Sequence, residues 1–189
     1  MRAPSRFVIF LGLLVATMVA PGRAQVIGIF ADSTGTRCDL SAHPGTPGHG
    51  YLGFRKGALE GIAGWACRVQ GLPSGWIGTS GAQPPVPVTN DLFGDGAVWA
   101  WPTCQHNDPI VLAPLTITAT SEQQDVVLSV TPRIPLVNPA LECALVAQCD
   151  APVYTAVCVA VQSAIVNATT PCVVAVEARS WTQIRRLYD

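Results

Sequence analysis

The sequence predicts an all-β protein, an antiparallel β-sandwich closed by a short C-terminal helix. Three observations carry that expectation. Apolar and polar residues alternate with a period of two through most of the chain, as half-buried strands require. Glycine and proline, 17 and 16 of 189 residues, separate the alternating runs with turn chemistry. Strand–helix–strand units are not legible, which disfavours a parallel α/β sheet. Composition fits a folded chain: 49% of residues are apolar and 12% charged, about half the usual charged share of ~25%. The formal charge of -1 leaves no electrostatic footprint for nucleic acid.

Residues 1–24 read as a secretory signal peptide. Arg2 and Arg6 open the segment, Phe7 to Ala20 is free of charge, and Pro21-Gly22-Arg23-Ala24 ends in a small residue before Gln25. The apolar core falls short of the ~20 residues a spanning helix needs, which disfavours the competing reading of a membrane anchor, and no second long apolar segment follows, so no membrane span is expected after its removal. Three arginines leave with it, and 8 basic against 12 acidic residues give the remaining chain a charge of -4. The expected location is secreted: extracellular, periplasmic or on the cell surface.

Within a sandwich domain spanning 25–176, strands are expected in order. Gln25 to Ala31 is rich in Val, Ile and Phe. Gly48 to Arg55 follows the turn-forming His43-Pro44-Gly45-Thr46-Pro47. Gly61 to Leu72 turns Trp65, Cys67 and Val69 to one face and Ala66, Arg68 and Gln70 to the other. Ala97 to Trp101 projects Trp99 and Trp101 together. Leu115, Ile117 and Ala119 alternate with threonines, and Val126, Leu128 and Val130 repeat the pattern. Leu141 to Val146 and Val153 to Val161 are further apolar runs, joined by Cys149-Asp150-Ala151-Pro152. At the end, residues 177–189 form a helical tail: Ser180-x-x-Gln183 has capping-box form before Trp181, Ile184, Leu187 and Tyr188 at helical spacing. That tail either docks on the sandwich or binds in trans.

All seven cysteines, Cys38, Cys67, Cys104, Cys143, Cys149, Cys158 and Cys172, follow the signal segment, and outside the cytoplasm such residues pair. Seven is odd, so at least one stays free or bonds another chain; one unpaired residue with six linked allows 105 arrangements. The spacings lack the close pairs that structural zinc prefers.

Candidate sites are few. Trp76, Trp99 and Trp101 offer flat indole faces for a glycan if exposed, and ordinary core packing if not. Asn90, Asp91 and Asp95, around Gly94 and Gly96, gather oxygen ligands for calcium, or else build a plain turn. Asp32-Ser33-Thr34-Gly35-Thr36 approaches an aspartic-protease signature, yet carries one inserted residue and has no second copy, so a turn is expected. His43, His49 and His106 sit in loops, and Ser74 and Ser80 lie outside any nucleophile elbow. No nucleophile–base pair is legible. Asn167-Ala168-Thr169 fits the glycosylation acceptor pattern.

Ile27-Gly28-Ile29-Phe30-Ala31-Asp32, Gly35-Thr36-x-Cys38, Val130-Thr131-Pro132 and Cys172 to Glu177 with Ser180-Trp181 to Leu187-Tyr188 resemble segments of secreted bacterial proteins. Those proteins resemble immunoglobulin-like and cohesin-like sandwiches, and no activity comes with the resemblance. What it implies is fold, since fold alone does not license function. The expected function is a secreted, disulfide-stabilised, non-catalytic interaction module, with another extracellular protein or a glycan as partner and no cofactor. The alternatives are a carbohydrate-binding module using the three tryptophans, or a secreted hydrolase with dispersed residues.

Overall fold

The computed structural model describes residues 25–81, 87–149, 154–172 and 174. Thirteen strands are present among them: β1 (Val26–Phe30), β2 (Asp39–Leu40), β3 (Gly48–Arg55), β4 (Ile62–Gln70), β5 (Ile77–Ser80), β6 (Pro87–Asp91), β7 (Gly96–Gln105), β8 (Ile110–Thr118), β9 (Val126–Thr131), β10 (Leu145–Gln148), β11 (Thr155–Cys158), β12 (Ala160–Gln162) and β13 (Ala164–Val166). They form two sheets. One has five strands in the order β12-β1-β3-β8-β5. The other runs β11-β10-β4-β9-β13-β2, with β7 also on β4 and β6 on β7. The signal segment 1–24 and the helical tail 177–189 lie outside the described residues.

The all-β expectation holds, and most long runs are where alternation placed them. In β9 the outward residues Val127, Ser129 and Thr131 intervene between the buried Val126, Leu128 and Val130. β8 buries Leu115 and Ile117 and turns Thr116 and Thr118 outward. The inner faces of both sheets meet in one core containing Ile27, Ile29, Phe54, Trp65, Leu112, Leu128 and Val146.

Pairing corrects the purely antiparallel expectation. β1 lies parallel to β12 and β2 lies parallel to β13. Each partner belongs to a two-strand segment that leaves one sheet and enters the other: β1–β2 near the start, β12–β13 near the end. The two segments run side by side, and backbone bonds from Ala160 N to Gln25 O, Ile165 N to Cys38 O and Asn167 N to Leu40 O stitch them together. No hairpin links these segments, so no tight turn forces them antiparallel.

Three disulfides link Cys38 to Cys172, Cys104 to Cys149 and Cys143 to Cys158, with Cα–Cα distances of 5.4, 6.1 and 5.6 Å, all within the span a bridge allows. Cys67 is the free cysteine. It is buried on the inward face of β4, and burial pushes its thiol well above the ordinary range. A thiol that neither ionises nor meets solvent is inert. Native protein should therefore leave Cys67 unalkylated by iodoacetamide, and unfolding without reductant should expose one reactive thiol per chain. Rapid alkylation of the native chain would contradict this burial.

Candidate functional site

Trp76, Trp99 and Trp101 are 6%, 2% and 9% exposed. Trp99 faces Trp65 across the β4–β7 pair, with ring centroids 6.3 Å apart and planes 11° from parallel. Trp76 Nε1 donates to Ser121 Oγ at 3.3 Å, giving its indole N–H a partner where the ring is packed. The three indoles thus sit in the core, and none presents a flat face to solvent.

The acidic stretch closes the β6–β7 hairpin. Gly94 N–H donates to the Asp91 carbonyl at 3.1 Å, and the Asp91 carboxylate lies over Gly94 where a Cβ would stand. Asp95 O accepts from Ile134 N–H at 2.8 Å, which ties the turn to the 133–135 loop. Gly96 takes φ 108°, and a side chain there would meet Arg133 and the Cys67 carbonyl. Asn90's side chain lies outside the described residues. Among those described, no group of three or more His, Cys, Asp or Glu converges as a metal site.

Asp32 organises the turn after β1. Its carboxylate accepts from Thr34 N at 2.9 Å, Thr36 N at 3.0 Å and Thr36 Oγ1 at 2.9 Å, with the Thr34 hydroxyl as a fourth donor. Partial burial pushes the Asp32 pKa up, but the bonds from Thr34, Thr36 and the Arg37 backbone outweigh it and lower the pKa to about 2. The turn expected from sequence is what forms, and a second catalytic carboxylate is not part of it. A carboxyl held below its unfolded value of 3.8 stabilises the fold fully above that pH, and the contribution disappears as pH falls through about 2. Asp32→Ala is expected to lose about 1–2 kcal/mol near neutrality, after discounting for solvent screening, and to flatten the acid limb of a urea-midpoint titration below about pH 4. An unchanged acid limb would contradict this role.

The acceptor motif at Asn167 is internally occupied. Asn167 takes φ 53°, its Nδ2 donates to Ala42 O at 2.7 Å and Gln123 O at 2.9 Å, and its Oδ1 accepts from Ala42 N at 2.9 Å. Thr169 Oγ1 in turn donates to the Asp125 carboxylate at 2.8 Å. A sugar on Nδ2 would break the bond that holds two loops together.

One arrangement went unread in the sequence. His43 Nδ1 lies 3.0 Å from Glu122 Oε2, and His43 Nε2 lies 3.2 Å from Ser41 Oγ. His43, placed by the sequence only in a loop, thus has a polar partner at each ring nitrogen. A signal was present in part: Ser41 and His43 are two apart in extended chain, which sets both on one side. Glu122, 79 residues away, gave none. His106 instead bonds Glu60 O through Nδ1 at 3.1 Å, and His49 Nδ1 lies 3.4 Å from Thr116 Oγ1.

Among the described residues, much of the outer surface of the five-stranded sheet meets solvent. Register turns Ile77 and Thr79 of β5, Thr116 and Pro114 of β8, and His49 and Tyr51 of β3 outward. Phe30 faces the same side but is buried, lying against Gly28 and Gly53, where any Cβ would meet its ring. Ile77 is 57% exposed. No helix among the described residues is long and apolar enough to cross a membrane.

No protein-family model matches the sequence, and no curated protein matches it. Solved structures to which the chain is similar include two cohesin modules. The sixth cohesin of scaffoldin B from Acetivibrio cellulolyticus, solved in complex with a dockerin mutant, is 13% identical with a TM-score of 0.47, covering 77% of this chain and 99% of that chain. A cohesin module from a Clostridium perfringens family 33 glycoside hydrolase is 12% identical at the same TM-score and the same coverage. Likeness at this level says nothing of binding or activity.

Proposed function

We propose that this chain is an extracellular protein-interaction module, a 25–176 sandwich left after residues 1–24 are removed, and that it binds another extracellular protein. Its contact surface is the outer face of the five-stranded sheet. The supporting observation is the composition of that face. On β1, β3, β5, β8 and β12 the register turns outward a single formally charged side chain, Arg55. Beside it stand exposed Ile77 and His49, half-buried Tyr51 and Pro114, and the hydroxyls of Thr79, Thr116 and Thr118. Depletion of charge, with aromatic and apolar groups beside neutral hydrogen-bonding ones, is the composition of the buried centre of a protein interface. On the other sheet's outer face, Arg68 Nε donates to Thr131 Oγ1 at 3.1 Å beside Gln70, a polar group already satisfied within the chain. The three disulfides suit an oxidising compartment. With Trp76, Trp99 and Trp101 buried, the indole platform expected for a glycan does not form, which favours a protein partner.

The test uses a photo-reactive residue at Thr79 and, as control, at Val127 on the opposite sheet, in protein made by the native host and irradiated in its extracellular fraction. A discrete adduct from position 79 that Tyr51→Asp removes, with none from position 127, is expected. Adducts from position 127 alone, or from 79 regardless of Tyr51, would refute the assignment.

A further inference from the structure

Ser41 and His43 project from one side of the segment between β2 and β3, while Ala42 between them points inward and is fully buried. Glu122 comes from the loop after β8. Its carboxylate only accepts, so the His43 Nδ1 it contacts carries the hydrogen. With that tautomer, Nε2 is the acceptor and the Ser41 hydroxyl donates to it at 3.2 Å. Hydroxyl, imidazole and carboxylate thus stand in the relay order that activates a serine, at distances within reach for proton transfer.

The relay is held in place from behind. Asn167 binds both polar groups of Ala42, the residue between Ser41 and His43, and also binds the carbonyl of Gln123, the residue after Glu122. One side chain therefore fixes both halves. Reciprocal backbone bonds between His43 and Thr46, at 3.1 and 2.9 Å, fix the histidine further.

We propose that Ser41, His43 and Glu122 form a surface acyl-transfer site for small activated carboxylic esters, separate from the sheet-face contact. Ser41 Oγ attacks the ester carbonyl carbon as its proton passes to His43 Nε2. The bond to the leaving oxygen then breaks, and that oxygen takes the proton from His43, leaving an acyl-Ser41 ester. Water repeats the sequence: His43 takes its proton, the acyl carbon gains the hydroxyl, and Ser41 Oγ departs with the proton as a carboxylic acid is released. Glu122 is a positioning residue that holds the ring and its tautomer.

The surroundings set the expected rate. His43 and Glu122 side chains are 49% and 68% exposed, so water is not excluded. The Ala42 N–H, next to the nucleophile, is committed to Asn167 Oδ1 and does not serve an oxyanion. Acylation of Ser41 with slow turnover follows, on esters whose leaving group needs little help.

The test treats the full chain, disulfides intact, with p-nitrophenyl acetate and separately with a fluorophosphonate probe, and locates adducts by peptide mass spectrometry. Ser41 should be modified well ahead of Ser33, an exposed serine without a histidine. Ser41→Ala should remove the adduct. His43→Ala should slow it by about 10²-fold, in line with the loss of a general base, and added imidazole should restore part of the rate, which a structural histidine would not allow. Glu122→Gln should slow it by a smaller factor without moving the melting temperature. His43→Gln replaces His43→Ala if the latter fails to fold. Equal labelling of Ser41 and Ser33, or labelling indifferent to His43, would overturn the proposal.

Discussion

Trp99→Ala is expected to destabilise the fold by about 3–5 kcal/mol, the range for emptying a large aromatic from a core. Trp99 is 2% exposed and stacks on Trp65 across the β4–β7 pair, and such pairs add about 0.5–1.5 kcal/mol beyond burial alone. Domains of this size have about 5–15 kcal/mol in total, so the variant should sit close to its unfolding transition. Trp99→Phe, which keeps a ring against Trp65, should lose roughly half as much. Urea midpoints for the two variants measure the difference. A stable Trp99→Ala protein that had instead lost retention on a polysaccharide would restore the platform expectation.

The second large effect concerns the bridge that spans most of the chain. Cys38–Cys172 closes a loop with sequence separation 134, whereas Cys143–Cys158 closes one of 15. In the chain-entropy account a bridge stabilises by restricting the unfolded chain, by about 5 kcal/mol for the long loop and about 3 for the short one. Cys38→Ala with Cys172→Ala should therefore destabilise more than Cys143→Ala with Cys158→Ala. The structure adds a second reason. Cys38 O accepts from Ile165 N–H, so the long bridge secures the parallel β2–β13 pairing that has no local turn of its own. Thermal unfolding of the two double variants under non-reducing conditions gives the order, and a reversed order would contradict it.

Strand alternation in the 48–55, 62–70 and 126–131 regions was legible because five or more residues in sequence repeat the same in-and-out pattern. β2 with two residues and β13 with three are too short to carry a period. β5 contains Gly78 and β6 begins at Pro87, residues that read as turn chemistry in isolation. The apolar run Val153 to Val161 read as one strand, yet β11 and β12 divide it between sheets: Cys158 pairs with Leu145, and Ala160, two residues on, pairs with Val26.

The candidate sites follow the same division. Tryptophans on alternating strand positions are compatible with either face, and only the second sheet decides which face is covered. The acidic hairpin looked like a ligand set because its oxygens are close in sequence, but Asp91 folds onto its own turn. The Ser41–His43–Glu122 relay was hidden for the opposite reason: its third member is brought close by Asn167, far along the chain.

The amino-acid order alone established layered β structure, since alternation is a local property that each strand carries with it. It also established cysteines in an odd number, hence at least one outside any intrachain bridge. The tertiary structure decided the rest: which sulfurs meet, that Cys67 is the one enclosed, that the chain's two end segments run parallel, and that the indoles lie inside. Each of those depends on contacts between residues tens to more than a hundred positions apart, and distance along the chain leaves no periodic trace from which they can be read.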